Sequence, residues 1–120
     1  MVDVTNAKSQ MRKGMLEYCI LLLLRRGPAY ASDIIQQLKE ADLLVVEGTL
    51  YPLLTRLKKD ALLAYEWQES TQGPPRKYYR LTDDGLQFLD ELDKAWGEIE
   101  RTVSVLKSSQ TSRPQNLTIS

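Results

Sequence analysis

The sequence predicts a mostly helical α+β fold: three short helices, a two-stranded hairpin, and one long helix that closes the chain. Three observations predict it. Leu50, Leu53, Leu54 and Leu57 recur at i, i+3, i+4 and i+7, the apolar stripe of a helix. Leu63, Tyr65 and Trp67 alternate with Ala64, Glu66 and Gln68, and a second alternating run, Arg76–Leu81, follows after turn-forming residues at 70–75. Beyond it, Leu89, Leu92, Trp96, Ile99, Val103 and Leu106 step by 3, 4, 3, 4 and 3, a heptad seam.

In order, residues 1–10 are polar and read as loose at their start. The first helix is expected from near Ser9 or Lys13 to Arg26, stopped by Gly27-Pro28, because glycine favours a helix end and proline cannot continue one. Leu16, Ile20, Leu23 and Leu24 form its core face. Met15, Cys19 and Leu22 make that face wide enough to want a second surface. A second helix is expected over about Ala31–Ala41, with Ser32 as its cap and Ile34, Ile35 and Leu38 inward. The run Leu44–Val46, with β-branched Val45 and Val46, reads as a stub of strand. The third helix is expected to start close to Gly48–Thr49, which leaves Pro52 near the first turn, where amides have no helical partner. Thr82 should cap the long helix, with Asp83 and Asp84 placed for its N-terminal dipole, and the helix should end near Lys107. The expected divisions are 1–82 for the three helices and hairpin, 83–108 for the long helix, and 109–120 as a disordered tail containing Pro114.

Composition narrows the function. At 120 residues the chain makes one small domain. Its formal net charge is zero, but residues 1–82 hold 12 Lys/Arg against 9 Asp/Glu and residues 83–120 hold 4 against 7. A basic body with an acidic tail suits local contact with a polyanion rather than global attraction. Cys19 is the sole cysteine, so no intrachain disulfide forms, and its apolar run makes it a buried, inert thiol. The run Met15–Leu24, preceded by Arg12-Lys13, imitates a secretory signal. Glu17 interrupts it and Arg25-Arg26 closes it, and it is too short to cross a bilayer, so the chain reads as cytoplasmic with no membrane partner. There is no histidine, hence no His-based triad, acid–base pair or zinc site, and no phosphate-cradling glycine loop. The chain reads as a non-enzyme without cofactor or metal.

Three helices followed by a basic hairpin is the order of a winged helix-turn-helix, in which the third helix enters the DNA major groove and the wing touches backbone or minor groove. Opposite its leucine stripe, the third helix carries Gly48, Pro52, Thr55 and Lys59, with Tyr51 and Arg56 on the shoulders. Thr49, Tyr51 and Thr55 can donate to base edges or phosphates, and Pro52 offers an apolar contact to a thymine methyl. Arg56, Lys59, Arg76 and Lys77 are the candidate phosphate contacts, which set register and supply salt-dependent affinity. Of Tyr78 and Tyr79 one must be core. Tyr65 and Trp67 read as strand packing rather than base stacking.

The blocks Gly48-Thr49-Leu50-Tyr51-Pro52-Leu53-Leu54, Arg56-Leu57, Trp67, and Arg76-Lys77-Tyr78-Tyr79-Arg80-Leu81-Thr82 with Gly85 resemble the PadR family of transcriptional regulators over about Leu16 to Gly85. The single long tail helix is similar to the short-type members. The resemblance implies a homodimeric repressor of double-stranded operator DNA whose first and last helices form the dimer interface. It also implies that Tyr51 and Pro52 face DNA, that Tyr30 in the second helix reaches backbone, and that Arg76 and Lys77 belong to the wing. There are departures: Ala31-Ser32 stands where the family commonly has a Gly-Tyr-like pair, Ala61-Leu62 where Gly-Leu is usual, and Pro74-Pro75 leaves the wing fewer cations.

The expected dimer interface is Leu16, Ile20, Leu89, Leu92, Trp96, Ile99, Val103 and Leu106. Paired indoles at a two-fold seam either fill it or leave an aromatic slot for a planar or cationic effector, so Trp96 is the candidate ligand-binding residue. Some family members regulate drug-efflux genes and bind such compounds, as the resemblance implies. The competing reading is a winged protein-interaction or dimerisation module without DNA, supported by the neutral net charge and the sparse wing.

Overall fold

The computed structural model describes residues 2–117, with side chains described through Ser108. The chain runs α1 (Thr5–Arg25), β1 (Ala29–Tyr30), α2 (Ala31–Glu40), α3 (Glu47–Lys59), β2 (Leu63–Gln68), β3 (Arg76–Leu81) and α4 (Asp83–Leu117). A three-stranded antiparallel sheet, ordered β1-β3-β2, pairs Ala29 with Tyr79 and Leu63 with Leu81. The winged helix-turn-helix order expected from the periodicities is present. One compact unit runs through Leu89, and a second begins at Asp90.

The first unit folds around leucine stripes converging from three helices and the sheet. Ile20 and Leu21 of α1, Ile34 of α2, Leu50, Leu54 and Leu57 of α3, Leu63 of β2 and Leu89 are fully or almost fully buried, and Tyr79 of β3 joins them. Burial of this kind contributes about 1.5–3 kcal/mol per large side chain. Leu21 was not on the expected core face. Met15, Cys19 and Leu22 are half-buried, so Cys19 is less enclosed than its apolar run suggested, although burial still raises its thiol pKa.

Several boundaries differ from expectation for identifiable reasons. α1 starts at Thr5 because the Asp3 carboxylate accepts the Thr5 amide at 2.9 Å and the Thr5 hydroxyl at 2.6 Å, holding a turn that the apolar pattern does not mark. Ser32 lies inside α2 and does not cap it. The residue before the helix is Tyr30, whose amide donates to the Asp33 carboxylate at 3.1 Å. Leu44–Val46 is not a strand, because the outer edge of β3 is taken by Ala29–Tyr30 instead. Pro52 is the sixth residue of α3, one or two residues further in than expected, and forfeits only the helical bond to the Gly48 carbonyl.

The C-terminus of α3 makes the corner from which both the wing and α4 depart. The Leu62 amide donates to the Leu57 carbonyl at 3.0 Å and Ala61 takes a left-handed φ of 63°, the conformation of a helix C-terminus usually filled by glycine. The Thr82 hydroxyl donates to the Ala61 carbonyl at 2.6 Å and accepts the Gly85 amide at 2.9 Å, capping α4 as expected. A β-carbon on Gly85 would run into the Leu62 carbonyl, so glycine is what lets the first turn of α4 lie this close to the start of β2.

α4 continues past the expected end near Lys107 to Leu117. The expected disordered tail, 109–120, overlaps this helix as far as Leu117; its side chains, and residues 118–120, lie outside the described residues. In the second unit, Trp96, Ile99, Val103 and Leu106 are all exposed. No helix among the described residues is long and apolar enough to cross a membrane.

Candidate nucleic-acid interface

α3 presents its leucines to the core and everything else outward. Thr49, Tyr51, Pro52, Thr55, Arg56, Lys58 and Lys59 are exposed, with no carboxylate between Glu47 and Asp60. Tyr51, 44% exposed, stands clear of the core. One shoulder of the helix faces the wing. There Tyr51, Tyr30, Ser32, Trp67, Arg76, Lys77 and Tyr79 line a groove of about 300 Å³ that contains no acidic side chain. An aromatic trough with cations on its rim and no opposing carboxylate is suited to a polyanion carrying flat apolar groups.

Two wing cations are held against rings. The Arg76 guanidinium lies 3.9 Å from the centre of the Tyr30 ring and donates to the Ser32 hydroxyl at 3.4 Å. Tyr30 in turn pairs with Tyr78 across β1 and β3, ring centres 4.8 Å apart. The Lys77 ammonium sits 4.6 Å from the Tyr65 ring and 5.5 Å from that of Trp67, its cross-strand neighbour. These contacts keep both charges on the wing without neutralising them. Among the two tyrosines in question Tyr79 is the core residue. Its hydroxyl pKa is raised, first by burial and then by the neighbouring Tyr51 and Tyr65.

The other shoulder faces α1. The Arg56 guanidinium is 3.0 Å from the Glu17 carboxylate, so this expected phosphate contact is already engaged by an acid. Thr49 lines a separate groove of about 320 Å³ with Ser9, Arg12 and Lys13 of α1 and Leu43–Val46. The structure thus brings together Tyr30, Tyr51, Arg76 and Lys77, leaves Pro52, Thr55 and Lys59 on the open face, and turns Thr49 and Arg56 to the far side. Tyr30 belongs to β1 and precedes α2 rather than lying within it.

Two residues of this surface escaped the sequence reading. Lys58 stands seven positions after Tyr51, hence about 20° from it around the helix, and its ammonium lies 5.6 Å from the Tyr65 ring. That spacing could have revealed it. Trp67, expected to pack on the strand, is 62% exposed, because the hairpin extends beyond the core it starts from. Alternation along a strand says which residues share a face, not where the covering layer stops.

The expected dimer residues divide in two. Leu16, Ile20 and Leu89 are buried by the chain's own first unit, so they have little or no surface left for a second copy. Leu92 is half-buried, and Trp96, Ile99, Val103 and Leu106 are exposed. Among the described residues no cluster of Cys, Asp and Glu could hold a metal ion.

Comparison with known proteins gives a consistent result. The family model described as "Transcriptional regulator PadR-like family" matches residues 20–91. The chain is similar to the solved structure of a PadR-like transcription factor from Bacteroides fragilis, with 72% identity, TM-score 0.73, and coverage of 84% of this chain and 98% of that one. A PadR family transcriptional regulator from Eggerthella lenta DSM 2243 superposes with TM-score 0.80 at 37% identity, over 86% of this chain and 90% of the other. Transcriptional regulator Rv3488 of Mycobacterium tuberculosis is 41% identical over 68 residues, 57% of this chain and 63% of that protein.

Proposed function

Because the chain belongs to the PadR-like family of transcriptional regulators, we propose that it is a homodimeric repressor whose α3 reads operator DNA in the major groove while the wing holds the adjacent backbone. The observation that carries this reading is the exposed, acid-free face from Tyr51 to Lys59 flanked by the cationic groove of Tyr30, Trp67, Arg76 and Lys77. Tyr51 and Thr55 donate to base edges, Pro52 meets a thymine methyl, and Lys58, Lys59 and Lys77 meet phosphates. Membership of a family of transcriptional regulators favours this reading over an interaction module without DNA.

The second copy is supported by α4. An isolated helix exposing Trp96, Ile99, Val103 and Leu106 at heptad spacing leaves an apolar stripe in water that a second identical helix would cover. Two-fold symmetry would then place two copies of α3 on one duplex, about one helical turn apart. At the α4 seam, Trp96 and its symmetry mate would form an aromatic slot for a planar or cationic effector whose binding relieves repression.

Titrating the DNA upstream of its own gene at several salt concentrations tests the regulator. Log affinity should fall linearly with log salt, and absence of binding even at low salt would refute it. Sedimentation at micromolar concentration should give a dimer. For the effector, Trp96 fluorescence in a Trp67→Phe background should quench with planar cations, and Trp96→Ala should abolish the binding.

A further inference from the structure

Around α3, at about 100° per residue, Tyr51 and Arg56 stand about 140° apart, on opposite shoulders of a face centred on Pro52, Thr55 and Lys59. The Tyr51 shoulder faces the wing across the groove that both line. The Arg56 shoulder meets α1 through the ion pair with Glu17, 3.0 Å between guanidinium nitrogen and carboxylate oxygen. Glu17 follows Leu16 on a helix whose next turn, through Ile20, is locked in the core, so its carboxylate is carried on a fixed backbone. Arg56 sits between Leu54 and Leu57, both fully buried, so the pair can restrain rotation of α3 about its own axis.

We propose that Glu17 is a positioning residue for DNA recognition, and that Arg56 acts as its clasp rather than as a phosphate contact. This rests on the reading of α3 as the recognition helix. A guanidinium that already donates to a carboxylate has its charge compensated and offers a phosphate little net attraction, unlike the uncompensated Lys58, Lys59 and Lys77. Both partners remain partly in water, with side chains 54% and 31% exposed, and pairs this exposed contribute little to folding stability. What the pair contributes is the angle at which Tyr51, Pro52 and Thr55 meet the groove. A rotation of α3 that moves those groups off the base edges costs sequence-specific contacts and leaves the phosphate contacts of the lysines in place. The pair joins residues 39 positions apart and was assigned no role by the periodicity of either helix.

The test compares wild-type protein with Arg56→Ala, Glu17→Gln, the double variant, and the charge-swapped pair Glu17→Arg with Arg56→Glu. Each binds the fragment upstream of its own gene and poly(dI-dC), over a salt series, alongside a urea unfolding curve. Each single variant should lose about two- to fivefold on the upstream fragment, the range that an exposed pair can supply. In Arg56→Ala the poly(dI-dC) affinity and the salt slope should stay unchanged, as expected when base contacts are lost and phosphate contacts kept. The double variant should be no worse than either single one, because both remove the same interaction. The swapped pair should recover specific binding. The proposal is overturned if Arg56→Ala flattens the salt slope by about one, which marks a phosphate contact. It is equally overturned if the single losses add, if the swapped pair stays at the level of Arg56→Ala, or if lost binding merely tracks lost folding in urea. Failure of the wild-type chain to bind either DNA would overturn the DNA-binding reading itself, and is seen before any variant is compared.

Discussion

Arg76 of the wing lies flat against Tyr30, 3.9 Å from the ring centre, and bonds to Ser32 at the start of α2. The wing is therefore fastened to the helix-turn-helix by a residue that its charge alone would assign to DNA. Arg76→Ala should lower unfolding stability by about 0.5–1 kcal/mol in urea denaturation, the range of an exposed cation–π contact. Arg76→Lys should recover only part of it, because a lysine keeps the charge but not the planar stack.

Ala61 holds a left-handed backbone, φ 63°, at the end of α3. A β-carbon is costly there and glycine is not, so Ala61→Gly should raise stability by about 1 kcal/mol. A higher urea midpoint with an unchanged slope is the expected result. This is also where the sequence departs from the Gly-Leu usual in the resembled family.

Lys77 is held over Tyr65 and Trp67 without a carboxylate partner. Lys77→Ala should weaken DNA binding evenly across sequences and reduce the salt slope by about one. A changed sequence preference in competition assays would contradict that role.

Tyr79 has its hydroxyl pKa raised by burial, above the ordinary 10.0. The folded state thus holds its proton more tightly than the unfolded chain. The stabilisation is complete below about pH 10 and is lost as pH climbs through the folded value, because the unfolded chain ionises first. Tyr79→Phe should flatten the alkaline decline in stability followed by circular dichroism, while leaving stability near neutral pH within about 1 kcal/mol.

What could be read from the chain was whatever repeats locally. The leucine stripe of α3, the alternation of β2 and β3, and the Thr82 cap all state their structure within a few residues. β1 could not be read, because Ala29–Tyr30 becomes a strand only through the free edge of β3, some fifty residues later. Leu44–Val46 shows the converse: β-branched residues without an edge to pair with remain a loop. At the candidate site, composition located Tyr51, Lys77 and the open face of α3. It could not show that Arg56 is engaged by Glu17 or that Arg76 is stacked on Tyr30, since those pairings exist only in the folded arrangement. Nor could heptad spacing show that Leu89 is spent on the first core while Trp96 and its followers stay exposed.

The central claim is that the Tyr51 face of α3 reads the operator, and the most direct measurement compares wild type with Tyr51→Ala on the fragment upstream of its own gene. Tyr51 is 44% exposed, so the variant should fold normally. It should lose preference for that fragment over unrelated DNA while retaining salt-dependent, non-specific binding. A Tyr51→Ala variant that folds and still binds the fragment as tightly and as selectively as wild type would contradict the account.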